Sequence, residues 1–383
     1  MSAHPSPLAI HARALDPREV ATLPLGERLM GDGDATLLLT HPDPTPVEHA
    51  PRVLSVVTFN ILRGGLRREA LDAWFTALSE RGRLPDVLAL QETNLPVSVR
   101  LAREHGYHLA YYGRDSGPSG RFVNGKAWLS RHPIAGAVHF TYGIDDAQRD
   151  AAVARLLPSH PGGPGELNED RGALRITVKP AGEPVDLYTL HHTLGDGAIN
   201  ASQVRQLCGL LREREHPAVI AGDFNANLNI LEGEGAAVPG KRTTTVEAYR
   251  HRYGRFPTGR PDNSHVAQVR EALAALLAFA PDTFERAPTS VRLADAPAMS
   301  PEEARRRLAR GDLPREDETT WRLQDIADGS TLALDTLVGP ALPASGKRFD
   351  GILASPPWSP IEVEIDRAHE ASDHTPVRAV LGR

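Results

Sequence analysis

The spacing of apolar and polar positions changes character near residue 50. Residues 1–50 are rich in Pro and His, hold one short apolar run (Ala35-Thr36-Leu37-Leu38-Leu39) and close on the Pro-rich stretch HPDPTPVEHAPR. Such a composition predicts an N-terminal extension and no domain of its own. From residue 51 to 383 short β-type runs alternate with stretches of helical period. Residues 53–59 (VLSVVTF) predict a strand. Residues 66–81 predict a helix whose apolar face carries Leu71, Trp74, Phe75 and Leu78, and residues 86–90 (DVLAL) a buried strand. Further strands are predicted at 126–130, 173–178, 185–190, 218–221, 348–353 and 377–381, with another helix at 202–214. Strands and helices in this alternation define an α/β protein.

Two segments interrupt the rhythm. Residues 145–170 contain HPGGPGELNED and predict a long loop. Residues 228–345 carry polar loops, a clear helix at 266–279 and a charged helical stretch at 301–310 capped by Ser300. This second segment is expected as an insertion on one rim of the domain 51–383.

Composition narrows the class of protein. Hydrophobic residues are 40% of the 383-residue chain and charged residues 24%, which is ordinary for a folded soluble protein. A net charge of −6 argues against a broad basic surface for nucleic acid. It leaves room for a nuclease, because a metal ion supplies positive charge locally. Cys208 is the only cysteine, so no disulfide can form within the chain, and its helical setting marks it as a core residue. The first thirty residues lack a secretory pattern and no run is long enough to span a membrane, so a cytoplasmic monomer is expected.

The chemistry is concentrated where apolar strands end. Asn60 ends VVTFN, Glu92 ends DVLALQE, Asp223 and Asn225 end AVIAGDFN, Asp350 lies in RFDGILAS, and Ser372-Asp373-His374 precedes the last strand. Any one of these could be a turn or a cap. All of them, each at the end of a strand, are better explained by a shared cleft. Carboxylates with an amide oxygen suit a hard cation such as Mg²⁺ or Mn²⁺, with Glu92 as the best single ligand. Zinc is a weaker expectation, for the chain has neither an HExxH motif nor a cysteine pair.

In order, TFN, LQE, a strand of the form NGxAxLS, a His-bearing strand end, GDFN, DGI and SDH resemble the endonuclease/exonuclease/phosphatase superfamily, over about residues 53–383. GDFN and SDH in this order are the specific part. The family includes deoxyribonuclease I-like nucleases, abasic-site endonucleases, sphingomyelinases, inositol-phosphate phosphatases and deadenylases. The resemblance implies a four-layer α/β/β/α sandwich of two packed mixed sheets with outer helices. It also implies a metal site with Glu92 as direct ligand, Asn60 belonging to it and Asp373 nearby. Asp223 would orient or deprotonate the attacking water, Asn225 would hydrogen-bond the phosphate, and His374 would be polarised by Asp350.

A further His is implied at the end of the strand LYTLHH, where His191 and His192 have opposite parity. The family places a helix bearing Arg and Gln after this His, and Arg205-Gln206 at that position favour His192. A shift of one residue selects His191. Arg121, Asn124, Gly125 and Lys126 fall near the implied cleft, where Lys126 either binds phosphate or flanks an edge strand. Arg63, Arg67 and Arg68 follow Asn60 and either stand beside the metal or form a solvated helix start. Tyr111 and Tyr112 either pack in the core or touch substrate. The implied activity is Mg²⁺- or Mn²⁺-dependent hydrolysis of a phosphate ester, with nucleic acid as first substrate and a lipid headgroup or inositol phosphate as the alternative. A non-catalytic binding module on the same scaffold is the rival of a different class. The retained Asp, Asn and His residues speak against it. Segment 228–345 is where substrate choice is expected to reside.

Overall fold

Strand parity divides this chain between an inner core and two outer ones. The computed structural model describes residues 7–14, 35–47, 52–62, 64–113, 125–144, 146–155, 171–193, 197–226, 228, 263–284, 286–293, 296–299, 306, 348–367, 371–372 and 374–383. Its strands are β1 (Leu8–His11), β2 (Arg13–Ala14), β3 (Ala35–Leu39), β4 (Val53–Asn60), β5 (Val87–Thr93), β6 (His108–Gly113), β7 (Gly125–Ser130) and β8 (Gly136–Thr141). They continue as β9 (Gly172–Val178), β10 (Val185–His191), β11 (Ala218–Asp223), β12 (Thr289–Leu293), β13 (Ala296–Met299), β14 (Asp350–Ala354), β15 (Ser359–Arg367) and β16 (Val377–Gly382). The helices are α1 (Arg68–Glu80), α2 (Leu95–Glu104), α3 (Asp146–Arg155), α4 (Gly197–Arg212) and α5 (Asn263–Phe279).

One sheet has six strands in the order β1-β8-β9-β10-β11-β14, and the other has ten in the order β13-β12-β15-β16-β4-β5-β7-β6-β3-β2. Both are mixed: β4 runs parallel to β5 and β10 parallel to β11, within otherwise largely antiparallel pairings. Successive side chains on a strand face opposite ways. Leu54, Val56, Val87, Ala89 and Trp128 of the larger sheet therefore meet Leu174, Leu187, Val219, Ala221 and Ile352 of the smaller one in a core between the sheets. The intervening Val57, Phe59, Leu88, Leu90 and Leu129 turn outward onto Leu71, Trp74, Phe75 and Leu78 of α1 and Val99 and Leu101 of α2. On the other side Tyr188, Leu190 and Ile220 pack on Val204, Leu207 and Leu211 of α4 and Leu273 and Leu276 of α5. This is the α/β/β/α layering the motif set implied. The central strands are apolar on both faces because both faces are covered, as in doubly buried sheets.

The described parts of the N-terminal segment, residues 7–14 and 35–47, join the sheets. β1 pairs antiparallel with β8 at the edge of one sheet, and β3 pairs antiparallel with β6 in the other, so the ATLLL run is a strand. The prolines at 42, 44 and 46 that follow it lie beyond its paired residues. The segment expected as a rim insertion likewise contributes to both halves of the sandwich: α5 belongs to the outer core, and β12 extends the larger sheet parallel to β15. The charged stretch 301–310 falls outside the described residues apart from Arg306. Part of the loop expected at 145–170 is α3, and residues 156–170 also lie outside the described ones. Among the described residues no helix is long and apolar enough to cross a membrane.

Candidate active site

The inter-sheet layer is apolar along most of its length and polar at one end. Continuing the parity of Leu54 and Val56 puts Thr58 and Asn60 of β4 inward, that of Val87 and Ala89 puts Gln91 inward, and that of Trp128 does the same for Lys126. From the facing sheet, Val185 and Leu187 lead to Thr189 and His191, Val219 and Ala221 to Asp223, and Ile352 back to Asp350. A chain of hydrogen bonds floors this end: Thr58 Oγ1 donates to Gln91 Oε1 (3.2 Å), and Gln91 Nε2 donates across the sheets to Thr189 Oγ1 (2.9 Å).

Above that floor Asn60 holds two carboxylates at once. Its Nδ2 donates to Glu92 Oε1 and to Asp223 Oδ2, both at 3.1 Å, while its Oδ1 accepts from the Leu62 amide (3.1 Å). Glu92 reaches this position against its parity, which would turn it outward with Leu88 and Leu90. The register between β5 and β7 shifts between Gln91 and Thr93, and Glu92 has φ of 52°. A bulge at a left-handed residue re-aims the side chain, and a non-glycine residue there is strained. Gly222 solves a different problem, since a Cβ at that position would collide with the Leu190 carbonyl oxygen where β11 meets β10.

Asp223 is wholly buried and accepts the Asn225 amide on Oδ1 at 2.8 Å. Burial, and then the neighbouring Asp350 carboxylate, push its pKa up to about 7, against the opposing pull of His374, the Asn225 amide and Asn60. His374 Nδ1 bonds Asp350 Oδ2 at 2.8 Å, which turns its Nε2 towards Asp223 Oδ2 at 3.8 Å. The Ser372 hydroxyl accepts the His374 amide at 3.1 Å, so the Ser of SDH shapes the approach to the His.

The two adjacent histidines separate cleanly. His191 Nε2 lies 3.5 Å from Asp223 Oδ2 and 3.9 Å from Glu92 Oε1. Burial, then Arg171 and Lys126, hold its pKa well below the usual imidazole range, so the ring is neutral. His192, which the helix spacing favoured, faces the outer core edge-on to Tyr142 and Phe224, with its pKa pushed down to about 3 chiefly by burial. Its backbone serves the site instead: its N–H donates to the Asp223 carbonyl (3.0 Å) and its carbonyl accepts Asn225 Nδ2 (2.8 Å). Asn225, at φ 46°, is thereby held by its own side chain in the left-handed region that Asn tolerates. From α4, Gln203 Oε1 accepts the Thr193 amide (2.8 Å) and Asn200 Nδ2 donates to the Thr193 and Phe224 carbonyls (3.1 and 2.8 Å), tying down both loops.

The remaining expected residues fall as follows. Lys126 flanks no edge, since β7 runs between β5 and β6, and it is 1% exposed on the inner face. Arg171, just before β9, is a buried cation acting on His191 that no motif announced. Arg68 forms an exposed pair with Asp72 at 3.8 Å at the start of α1, the solvated arrangement. Tyr111 packs in the outer core and Tyr112 stacks on His139 between the sheets. Asp373, Arg63, Arg121 and Asn124 lie outside the described residues.

Asp223, Asp350 and His374 each offer a ligand atom within 4.8 Å of the others, a spacing compatible with a metal ion. Asp350 Oδ2 already engages His374 Nδ1, however, and the carboxylates of Glu92 and Asp223, bridged by the Asn60 amide, offer a second set made of oxygens alone. That set fits a hard cation. The raised pKa of Asp223 comes first from burial and then from the Asp350 carboxylate, so positive charge brought to this mouth would favour its ionised form.

A two-sheet α/β sandwich with an Asp–His pair and acidic oxygens at one end of the inter-sheet layer is the layout of the DNase I-like fold. The family model described as Endonuclease/Exonuclease/phosphatase family matches residues 57–374, and the chain belongs to that family, whose members are phosphoester hydrolases. No curated protein matches the sequence. Among solved structures, an endonuclease/exonuclease/phosphatase family protein from Leptotrichia buccalis is similar at 15% identity and a TM-score of 0.50, covering 86% of this chain and 100% of that one. D. rerio TDP2 complexed with single-strand DNA product aligns at 15% identity and a TM-score of 0.46, over 86% of this chain and 99% of that one. A mannosyl-6-phosphatase from Bacteroides thetaiotaomicron aligns at 16% identity and a TM-score of 0.46, over 86% and 100%.

Proposed function

We propose that the chain is a divalent-cation-dependent phosphodiesterase that works between Glu92, Asp223 and the Asp350–His374 pair. One observation carries this reading: separate strand ends bring three carboxylates, two imidazoles and an amide to a single mouth, with Asp223 Oδ2 within 4 Å of both His191 Nε2 and His374 Nε2. Mg²⁺ or Mn²⁺, when bound, supplies positive charge that neutralises the phosphoryl oxygens. Glu92 would hold it, and the family resemblance adds Asn60 and Asp373 to the same site.

Asp223 takes the proton of the attacking water. Its two oxygens each accept one hydrogen bond, from Asn60 and Asn225, and each keeps a second lone pair. His374, with Nδ1–H donated to Asp350, holds its cation beside that carboxylate and donates from Nε2 to a non-bridging phosphate oxygen. The neutral His191 ring offers a second hydrogen bond from the facing strand. Asn225 positions the phosphate. Lys126 and Arg171 add buried positive charge behind His191 and offset the acidity of the mouth.

Nucleic acid is the substrate we assign first, on the likeness of the motif set to the family's nucleases. Hydrolysis of bis(p-nitrophenyl) phosphate, plasmid DNA, abasic duplex and sphingomyelin, with Mg²⁺ or Mn²⁺ and then with EDTA, tests both parts. Cation-dependent cleavage of DNA supports the assignment, and turnover of sphingomyelin with DNA left intact replaces it by a lipid-headgroup substrate. If Asp223→Asn hydrolysed bis(p-nitrophenyl) phosphate as fast as wild type, the site itself would be wrong.

A further inference from the structure

A second concave site lies at the opposite end of the sandwich. β5 and β7 carry Glu92 and Gly125 at the active-site end, and at their other ends the chain passes through Leu84 and Arg131. There a cavity of about 380 Å³ opens, lined by Arg131, Arg103, His41, His105, Thr45 and Leu84 among others. At roughly 3.3 Å per residue along β5, it lies on the order of 20–25 Å from Glu92. Its volume falls in the range of small-ligand sites, about 300–1,000 Å³.

Arg131 is what marks this cavity as more than a crevice. The residue is 6% exposed, its Nε is buried without a hydrogen-bond partner, and among the described residues no carboxylate forms an ion pair with its guanidinium. Arg100, comparably buried on the adjacent helix, shows the ordinary solution: it bonds Asp72 at 2.7 Å and Glu104 at 2.8 Å. That pairing also occupies Glu104, one of the two carboxylates on the cavity lining. The other, Asp43, is exposed to solvent. Burying a guanidinium with its Nε unmet is costly, and a carboxylate or phosphate is the partner its fork fits best. Burial lowers the pKa of His105, so its neutral ring adds a hydrogen-bonding edge with no further charge to bury. The exposed Arg103 adds a second cation at the mouth.

We propose that this cavity binds a small ligand through a phosphate or carboxylate headgroup seated on Arg131, at a site separate from the catalytic mouth. Because the catalytic mouth should itself attract phosphate, the test disables it first. Inorganic phosphate and malonate are titrated, in EDTA, into a Glu92→Gln/His374→Ala protein with its histidine rings labelled for NMR. Saturable shifts of the His41 and His105 rings are expected, stronger for whichever headgroup the site prefers. Arg131→Met should weaken binding at least about tenfold, since a charge-assisted pair is lost. In the otherwise wild-type chain the same substitution should leave bis(p-nitrophenyl) phosphate turnover within about twofold. Arg131→Lys, which keeps the charge but loses the fork, should fall between. If Arg131→Met fails to fold, Arg131→Lys and Arg103→Gln carry the comparison. Binding unchanged in the folded Arg131 variants, or the absence of ring shifts at His41 and His105 with either anion, would overturn the proposal without touching the assignment of the catalytic site.

Discussion

In metal-free protein, Asp223→Asn should stabilise the fold above neutral pH, although it removes a residue at the centre of the site. The side chain is wholly buried, and its pKa is raised from 3.8 to about 7 by burial and by Asp350. The folded chain therefore keeps a proton that the unfolded chain has already released, and this contribution to stability is complete below about pH 4 and lost as pH rises to about 7. At about 1.4 kcal/mol per pH unit, ionising Asp223 costs the folded state about 4 kcal/mol relative to the unfolded one. Asn removes that cost. It also turns an acceptor of the Asn60 amide into a donor, losing about 1–2 kcal/mol. The net expectation is a gain on the order of 2–3 kcal/mol at pH 8.5 and almost none at pH 5, read from urea unfolding in EDTA. A wild-type-minus-variant difference that is the same at both pH values would refute the reasoning, because it would mean that the carboxylate is not held against its ionisation.

Other substitutions separate roles within the site. His374→Ala and Asp350→Asn should each lower kcat for bis(p-nitrophenyl) phosphate by about a hundredfold to ten-thousandfold with a smaller change in KM, as expected for a proton-handling pair. Their effects should be far from additive when combined, since each acts through the 2.8 Å bond between them. His191→Ala should lower kcat with little loss of stability. His192→Ala should do the reverse, lowering the urea midpoint by about 2–4 kcal/mol equivalent through the void left between Tyr142 and Phe224. Equal kinetic damage from both would return His192 to the site.

The sandwich was legible in the sequence wherever a strand was buried on both faces. Runs such as VLSVVTF and DVLAL are apolar throughout, and residues 53–60 and 87–93 are strands. Edge elements were harder, because half-exposed strands such as β1 and β15 carry mixed side chains whose identity depends on the neighbour they pair with. α2 begins on Asn94, whose side chain accepts the Val97 amide, yet the alternation of Val97, Val99 and Leu101 in that segment imitates a strand. The site was legible because strand-end residues must emerge somewhere, and five of these ends emerge together. Which neighbour emerges is a matter of parity. His191 follows Leu187 and Thr189 inward, while Glu92 escapes its own parity through a bulge that no residue type announces. Arg171 gave no signal because its role depends on the antiparallel pairing that sets the start of β9 beside the end of β10, where His191 stands.

The same parity explains why the site works against the fold that builds it. Most inward positions before the strand ends are apolar and gain from burial, and the polar Thr58, Gln91 and Thr189 satisfy one another. On the last rung Asp223 and Asp350 are buried side by side in the same layer, and after burial itself the Asp350 carboxylate is what most disfavours the charge on Asp223. A cation held by Glu92 near Asp223 relieves that repulsion, so binding should appear as stability. At a Mn²⁺ concentration a hundredfold above Kd the gain is about 2.7 kcal/mol, a rise of several degrees in Tm. Glu92→Gln should abolish most of that rise and weaken Mn²⁺ binding by at least about tenfold, while its metal-free Tm stays near wild type because the side chain remains 20% exposed. If Mn²⁺ raised the Tm of the Glu92→Gln protein as much as that of wild type, the cation would be held by Asp223, Asp350 and His374 instead, and the Asp–His pair would have to open to receive it.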